Sequence, residues 1–290
     1  MKPPKTYESA GSFRQAIESR INARSSNHAE LQRLRRLVAF DRLLARLFVD
    51  QSSPWIVKGG YGLEVRYGLK ARTTKDVDLA LPVTGSRADN PATTIQKLWD
   101  ELQEAADRDL GDHFAITIAA PRQEFDAPPG GGARFPVEVL LDRRTFAKFH
   151  LDVGIGDVIL EEAEWTIGED YLSFTAIPPA RFPIIPLTQQ FAEKIHAYSL
   201  PRKSGLNSRV KDLVDMTLIL DHGVPNPGAV KSAVEATFHH RATHSIPDFF
   251  APAPATWASS YMAMAQEMKL TEITIESAVS RLNAYWKTIF

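Results

Sequence analysis

The chain has no cysteine in 290 residues, which excludes disulfides, thiol nucleophiles and zinc held by thiolates. It has no long hydrophobic stretch either: nowhere do about twenty apolar residues run uninterrupted, so nothing is expected to span a membrane. The N-terminus, MKPPKTYESAGSFRQ, is polar and lacks the apolar stretch of a secretory signal. A strong net charge is missing too, with 34 Lys and Arg against 35 Asp and Glu and a formal charge of −1. Any nucleic-acid partner must therefore be held by local basic patches and not by the field of the whole chain. No G-x-x-x-x-G-K-[ST] loop and no G-x-S-x-G elbow occurs, which removes the P-loop NTPases and argues against an α/β-hydrolase. What is present is 44% hydrophobic and 24% charged residues, the balance of an ordinary globular protein. A cytoplasmic protein is the default expectation.

The pattern along the chain changes three times. Residues 8–24 and 28–49 read as helices, the second carrying Leu31, Leu34, Leu37, Val38, Leu44, Leu47 and Phe48 at helical spacing with Ser26 or Asn27 to cap it. Between residues 14 and 46 eight arginines face three acids, Glu18, Glu30 and Asp41, so the exposed faces of these helices are expected to be basic. PWIVKGG then reads as a short buried strand entering a glycine turn, GLEVRYGL as a short helix and DVDLALPV as a strand, before an amphipathic helix over 91–108. From about 113 to 186 the stretches HFAITIAAP, RFPVEVLLD, KFHLDVGIG and YLSFTAIP read as strands, with APPGGGAR (127–134) as a flexible loop. Helices follow at roughly 188–200, 208–221, 227–242, 257–269 and 272–288. No internal repeat is visible. The expected domains are basic N-terminal helices (1–50), an α+β core with a mixed sheet (51–186) and a helical C-terminal domain (187–290).

Three constellations could carry chemistry. Gly59 and Gly60 allow the backbone to approach an anion closely, and the helix behind them points free N–H groups at it. Sixteen residues after Gly60 comes Asp76, and two further on Asp78. On a strand such residues share a face, with Cα atoms roughly 6.5 Å apart. Two carboxylates so placed suit a triphosphate-bound Mg²⁺, with Mn²⁺ as the alternative ion. Taken alone, most glycine pairs are turns and most D-x-D pairs a solvated face; the order strand, GG, helix, strand, D-x-D is far more specific. The second constellation is FHLDVGIGD, where Asp152 interrupts an apolar strand. A half-buried carboxylate is costly unless paired or bound to metal, so Asp152 is the candidate third acid; the plain alternative is a cap on the following glycine turn. Asp142, beside two arginines in LLDRR, has the marks of a hairpin turn. The third is QQFAEKIHAYSLPRKSGLNSRVKDLVDM, with Lys194 mid-helix and Lys211, Asp212 and Asp215 on the next helix. Between 194 and 211, Lys194, Arg202, Lys203, Arg209 and Lys211 would form a patch for polyphosphate or nucleic-acid backbone, or else a solvated hairpin with surface ion pairs. His239, His240 and His244 invite a zinc reading, but no acid occupies the intervening positions of H-E-x-x-H.

The succession VKGGYGLEVRYG…RTTKDVDL, FHLDVGIGD and AEKIHA…SRVKDLVDM resembles the AbiEii/AbiGii nucleotidyltransferase toxins, a family that includes the mycobacterial MenT toxins, over roughly residues 40–260. The resemblance implies a DNA polymerase β-like nucleotidyltransferase core followed by helices, dependence on Mg²⁺, and a toxin with a cognate antitoxin encoded nearby. It further implies transfer of a nucleotide from an NTP to an RNA 3′ end, with the tRNA acceptor stem as the expected target. Carried over by position, Gly59 and Gly60 bind triphosphate, Asp76 and Asp78 hold metal with Asp152 as third ligand, Lys194 contacts phosphate, and Asp212 or Asp215 completes the site. Lys58, Arg72 and Lys211 add positive charge. The wider superfamily has Gly-Ser where this chain has Gly59-Gly60, so Thr73 or Thr74 would have to supply the hydroxyl. The RNA is expected on the basic N-terminal helices and the 194–211 patch. Rival readings are transfer to a small molecule or a protein hydroxyl, and a non-catalytic nucleotide-binding module.

Overall fold

Ser9 starts the first helix by accepting the amide of Ser12 at 3.2 Å, and Asn27 caps the second by accepting that of Glu30 at 2.9 Å. These are α1 (Ala10–Arg24) and α2 (His28–Leu47). They belong to a computed structural model that describes residues 5–50, 52–82, 91–121, 123–125, 131–201 and 209–290. After them come β1 (Ile56–Lys58), α3 (Gly59–Tyr67), β2 (Val77–Pro82), α4 (Pro91–Ala106), β3 (Phe114–Ile118) and β4 (Gln123–Phe125). Then follow β5 (Gly132–Leu141), β6 (Arg144–Asp157), β7 (Glu164–Ile167), β8 (Arg181–Ile184) and α5 (Leu187–Ser199). The chain ends with α6 (Val210–His222), α7 (Pro227–Arg241), α8 (Ala258–Met268) and α9 (Ile275–Trp286). Most predicted helices and strands stand within a few residues of their expected bounds. Among the described residues no helix is long and apolar enough to cross a membrane.

The chain divides into two compact units, Met1–Val57 with Lys75–Ile155 and Trp165–Ile184, and Lys58–Thr74 with Gly156–Glu164 and Ile185–Phe290. The first is built on a mixed sheet of order β3-β5-β6-β2-β1-β8-β7, with β4 paired to β5. β5 runs antiparallel to β3, β4 and β6, whereas β1 and β8 are parallel. Helices α1, α2 and α4 pack on strands of this sheet. There Phe40 meets Phe149 edge-on at 4.7 Å between centroids, over a core that includes Leu43, Leu79, Phe135, Val139, Leu151 and Val153. Alternation along β3, β5 and β6 buries every second residue and leaves the others half or fully exposed. The β5–β6 turn is made by Asp142 and Arg143, both at positive φ (53° and 57°) between the paired Leu141 and Arg144. Asp142 is thus a hairpin-turn residue, as its surroundings in sequence imply.

One expectation fails in this unit and another holds only in part. YLSFTAIP is not a strand: residues 171–174 form a turn, where the Thr175 side chain donates to the carbonyl of Leu172 at 2.8 Å, and β7 and β8 on either side supply the edge instead. The N-terminal arginines form an exposed basic face only in part: Arg20 and Arg24 are exposed, whereas others are drawn into pairs. Arg42 and Arg46 are about 1% exposed. Arg42 bonds Asp41 and the Pro178 carbonyl, and Arg46 grips Asp112 at 2.6 and 2.9 Å and the Phe114 carbonyl at 2.8 Å. Arg14 donates to the carbonyls of Leu141, Arg144 and Thr145, and Arg35 pairs with Glu18 at 2.6 Å. Helical periodicity marks which face is apolar, but a guanidinium with a buried acid opposite it is drawn inside all the same. Residues 127–130 of the expected flexible loop lie outside the described residues; from Gly132 the chain is already β5.

The second unit is helical. Its core joins Leu63 of α3 to Phe191 and Ile195 of α5, Leu213 and Met216 of α6, Val234 and Phe238 of α7, Tyr261 of α8 and Trp286 of α9. Thr274 caps α9, and Asn226 caps α7 with Pro227 behind it.

Candidate active site

Along β2 the half-buried Asp78 stands between the buried Val77 and Leu79, and the half-buried Asp76, just ahead of the strand and two residues before it, is on the same face. The Asp76 side chain is 33% exposed. The register of the β5–β6 hairpin sets Arg134 opposite Asp152. The two form a bidentate pair at 2.7 and 2.6 Å, and the same guanidinium comes within 4.0 Å of Asp76. His150 Nδ1 lies 3.3 Å from the other oxygen of Asp76. The hydrogen bonds to Asp152, helped by the charges of Asp152, Asp76 and Asp78 against partial desolvation, hold the Arg134 guanidinium above its ordinary pKa. Asp152 thus has an arginine partner. Among the described residues no three His, Asp or Glu side chains form a group that could hold a metal ion. The donor chemistry of Asp76 and Asp78, two carboxylates spaced i and i+2, nonetheless fits a hard cation that completes its shell with phosphate oxygens and water. Asp152 would join with Arg134 already on both of its oxygens.

The helical unit holds the glycine pair. Gly59 sits at φ +65°, a conformation that favours glycine, at the first residue of α3. A methyl group on Gly60 would meet Thr74 Oγ1 at 3.1 Å and Arg72 at 3.2 Å, so the backbone at the start of α3 is closely approached by a hydroxyl and a guanidinium. The Gly59 carbonyl accepts from Gln190 at 2.6 Å. Arg72 clamps Asp215 at 2.9 and 2.8 Å, and Lys194 donates to the same carboxylate at 2.6 Å. Burial would raise Asp215, but Lys194 and Arg72 outweigh it and hold the carboxyl below the usual range. Burial likewise pulls Lys194 down, and Asp215 with Asp212 more than restores it. Both groups are therefore charged at neutral pH. Asp212 is a more distant partner, 3.6 Å from Lys194 and 3.5 Å from Arg209. Gly60, Arg72, Thr74, Lys194 and Asp215 form one connected network.

The remaining expected residues separate from it. Lys211 is exposed on α6. Lys58 turns to Asp157, which Arg241 also reaches at 3.1 Å, and lies 3.5 Å from Glu193. Burial alone would lower Lys58, yet the two acids hold it above its ordinary value. Of the expected 194–211 patch, Lys194 is buried and ion-paired, Arg209 and Lys211 are exposed at least in part, and Arg202 and Lys203 lie outside the described residues. Of the three histidines, His239 is exposed and the other two hold local hydrogen bonds. His240 meets the Gly156 carbonyl at 2.7 Å, and His244 lies 2.8 Å from Ser199 Oγ and 3.0 Å from Thr243 Oγ1. Sequence reasoning missed Arg134, His150, Asp157, Glu193 and Arg241. Only Asp157, at the end of VGIGD, carried a local signal, an acid behind a glycine turn; the others acquire partners through cross-strand register or helix packing.

With this geometry in hand, comparison with known proteins is informative. No curated protein matches the sequence. Among solved structures, the chain is similar to MenT4, nucleotidyltransferase toxin Rv2826c from Mycobacterium tuberculosis H37Rv, at 16% identity and a TM-score of 0.57, covering 95% of this chain and 89% of that one. A putative nucleotidyltransferase from H. pylori matches at 14% identity and a TM-score of 0.41, over 88% of this chain and 93% of that one. The antibiotic-resistance factor ANT(2″)-Ia matches at 16% identity and a TM-score of 0.37, over 71% and 93%. The first likeness shows a nucleotidyltransferase fold. Residues 42–285 match the family described as nucleotidyl transferase AbiEii toxin, type IV toxin–antitoxin system. The chain belongs to the AbiEii family of nucleotidyltransferase toxins.

Proposed function

We propose that this toxin transfers a nucleoside monophosphate from an NTP to the 3′ hydroxyl of RNA, in particular the acceptor stem of tRNA, and so blocks translation in the cytoplasm until a cognate antitoxin silences it. The reading rests on the pair Asp76 and Asp78 on one face of β2. Residues of the sheet unit around them add Arg134 and His150. A divalent ion, Mg²⁺ by its preference for carboxylate and phosphate oxygen, would be held by Asp76 and Asp78 and would offset charge on the triphosphate.

The chain's own residues account for the rest. The N-terminus of α3 and the glycine pair bind phosphate oxygens through backbone amides, with Thr74 in place of the missing serine hydroxyl. Arg72, oriented by Asp215, and Lys194 stabilise charge on the departing pyrophosphate. The acceptor oxygen forms its bond to the α-phosphorus as the bond to the β-phosphate bridging oxygen breaks, and the hydroxyl proton passes to solvent or to a carboxylate beside it. The test is incubation with total tRNA, Mg²⁺ and each labelled NTP in turn. Label at the 3′ end of tRNA, followed by loss of aminoacylation, is the expected result. Label on a small molecule or a protein and none on RNA would replace the acceptor, and nucleotide binding without any transfer would sink the reading.

A further inference from the structure

The half-exposed face of the sheet unit carries a cavity of about 650 Å³ beside Asp76. Arg36, Lys75, Arg134 and Lys148 line it against two acids, Asp76 and Glu138. In the lining, cations exceed acids by four to two; Asp152, which holds Arg134, and Asp78, whose charge also acts on that guanidinium, are not part of it. Lys148 is 66% exposed while it pairs with Glu138 at 3.2 Å. His150, with its ring 42% exposed, and Pro136 line the same space. Charged residues along β5 and β6 face this way because the alternate positions are buried, with α1 packed on β5 and Phe40 of α2 on Phe149 of β6.

We infer that this cavity receives the last nucleotides of a single-stranded RNA 3′ end, the acceptor of the reaction proposed above, on which the inference rests. Three features point to that occupant. The cavity lies within the roughly 300–1,000 Å³ of small-ligand sites, enough for a nucleotide or two and too small for a duplex. Its positive excess attracts a phosphodiester backbone and repels a polycationic small acceptor. An exposed imidazole and a proline ring offer flat faces against which an unpaired base can lie. Asp76 in the wall then places the terminal hydroxyl beside the acids that hold the metal. Of the cations that the sequence suggested for RNA, Arg42, Arg46 and Lys194 are buried in ion pairs.

The experiment measures KM for a short single-stranded oligoribonucleotide with a free 3′ hydroxyl, at several salt concentrations, alongside KM for the NTP. Lys148→Glu is expected to raise the oligonucleotide KM about tenfold and to reduce its salt slope by about 0.7, with the NTP KM unchanged. Lys148→Gln, which adds no like charge beside Glu138, should give a smaller change of the same kind. Lys287→Glu, at the end of α9, should leave both constants as they are. Wild-type KM and salt slope in both Lys148 variants, with transfer to RNA continuing, would overturn the cavity as the acceptor site and leave the transferase reading intact. Failure of the unaltered chain to label any RNA would instead overturn that reading, and this occupant with it.

Discussion

The two units use the same residue types to opposite ends. In the sheet unit Asp76 is a third exposed and shares its surroundings with Arg134 and His150. In the helical unit Asp215 is 1% exposed and saturated by Arg72 and Lys194. A carboxylate that keeps contact with water can exchange that water for a metal ion at modest cost. One buried between two cations is tied to them, because removing either partner leaves a charge in a low-dielectric interior. The first arrangement is suited to chemistry and the second to holding cationic side chains in a fixed orientation. What separates a reactive aspartate from a structural one here is exposure, not identity.

The comparison breaks most visibly if both acids are removed in turn. Asp76→Ala should reduce nucleotide transfer by at least about a hundredfold while the thermal midpoint stays near that of the unaltered chain. Asp215→Ala should lower stability by about 3–5 kcal/mol, seen in urea unfolding, whether or not activity is followed. A large drop in stability for Asp76→Ala, or none for Asp215→Ala, would erase the distinction between the two regions.

A second prediction concerns pH and sharpens the contrast in the helical unit. Burial lowers the His196 pKa to about 3 from an ordinary 6.5, with the nearby Arg241 and His244 charges adding to the effect. The folded state thus binds its proton more weakly than the unfolded one. The stability tied to neutral His196 is fully present above pH 6.5 and is lost as the pH falls toward about 3. The slope from this group is at most about 1.4 kcal/mol per pH unit. Urea unfolding between pH 7 and 4 should show that slope flattened in His196→Asn, and an unchanged slope would show that other groups carry it.

The smallest expected effect tests the exposed site. Arg134 neutralises Asp152 and stands near Asp76, so Arg134→Gln should tighten Mn²⁺ binding about tenfold, equivalent to roughly 1.4 kcal/mol of removed charge repulsion. Electron paramagnetic resonance on free Mn²⁺ reads this without any turnover. Weaker binding in the variant would mean that Arg134 orients the acids for the ion instead of competing with it.

Much of the fold was legible because its signals are local. Leucine periodicity marked α2, Ser26 or Asn27 was its candidate cap, and the i, i+2 spacing on a strand put Asp76 and Asp78 on one face. YLSFTAIP misled because an apolar run of strand composition can equally close a turn when a threonine caps it and two prolines follow. The glycine pair, Arg72, Thr74, Lys194 and Asp215 were all named from sequence, but not that they form one network. The arginines of α1 and α2 were read as surface charge since nothing local reveals that Asp112 and the carbonyl of Phe114 wait for Arg46.

By itself, then, the sequence determined most of the helices, the shared face of Asp76 and Asp78, and the glycine at the start of α3. Each of these depends on backbone geometry over a few residues, where side-chain direction follows from the period of helix or strand. Tertiary structure alone decided which charges are buried and with whom. Arg134 meets Asp152 through the register of a hairpin, Arg72 meets Asp215 across 143 positions of chain, and Lys58 turns to Asp157 instead of an open surface. Coulomb energy depends on distance and on exclusion of water, and both are set only when distant segments pack.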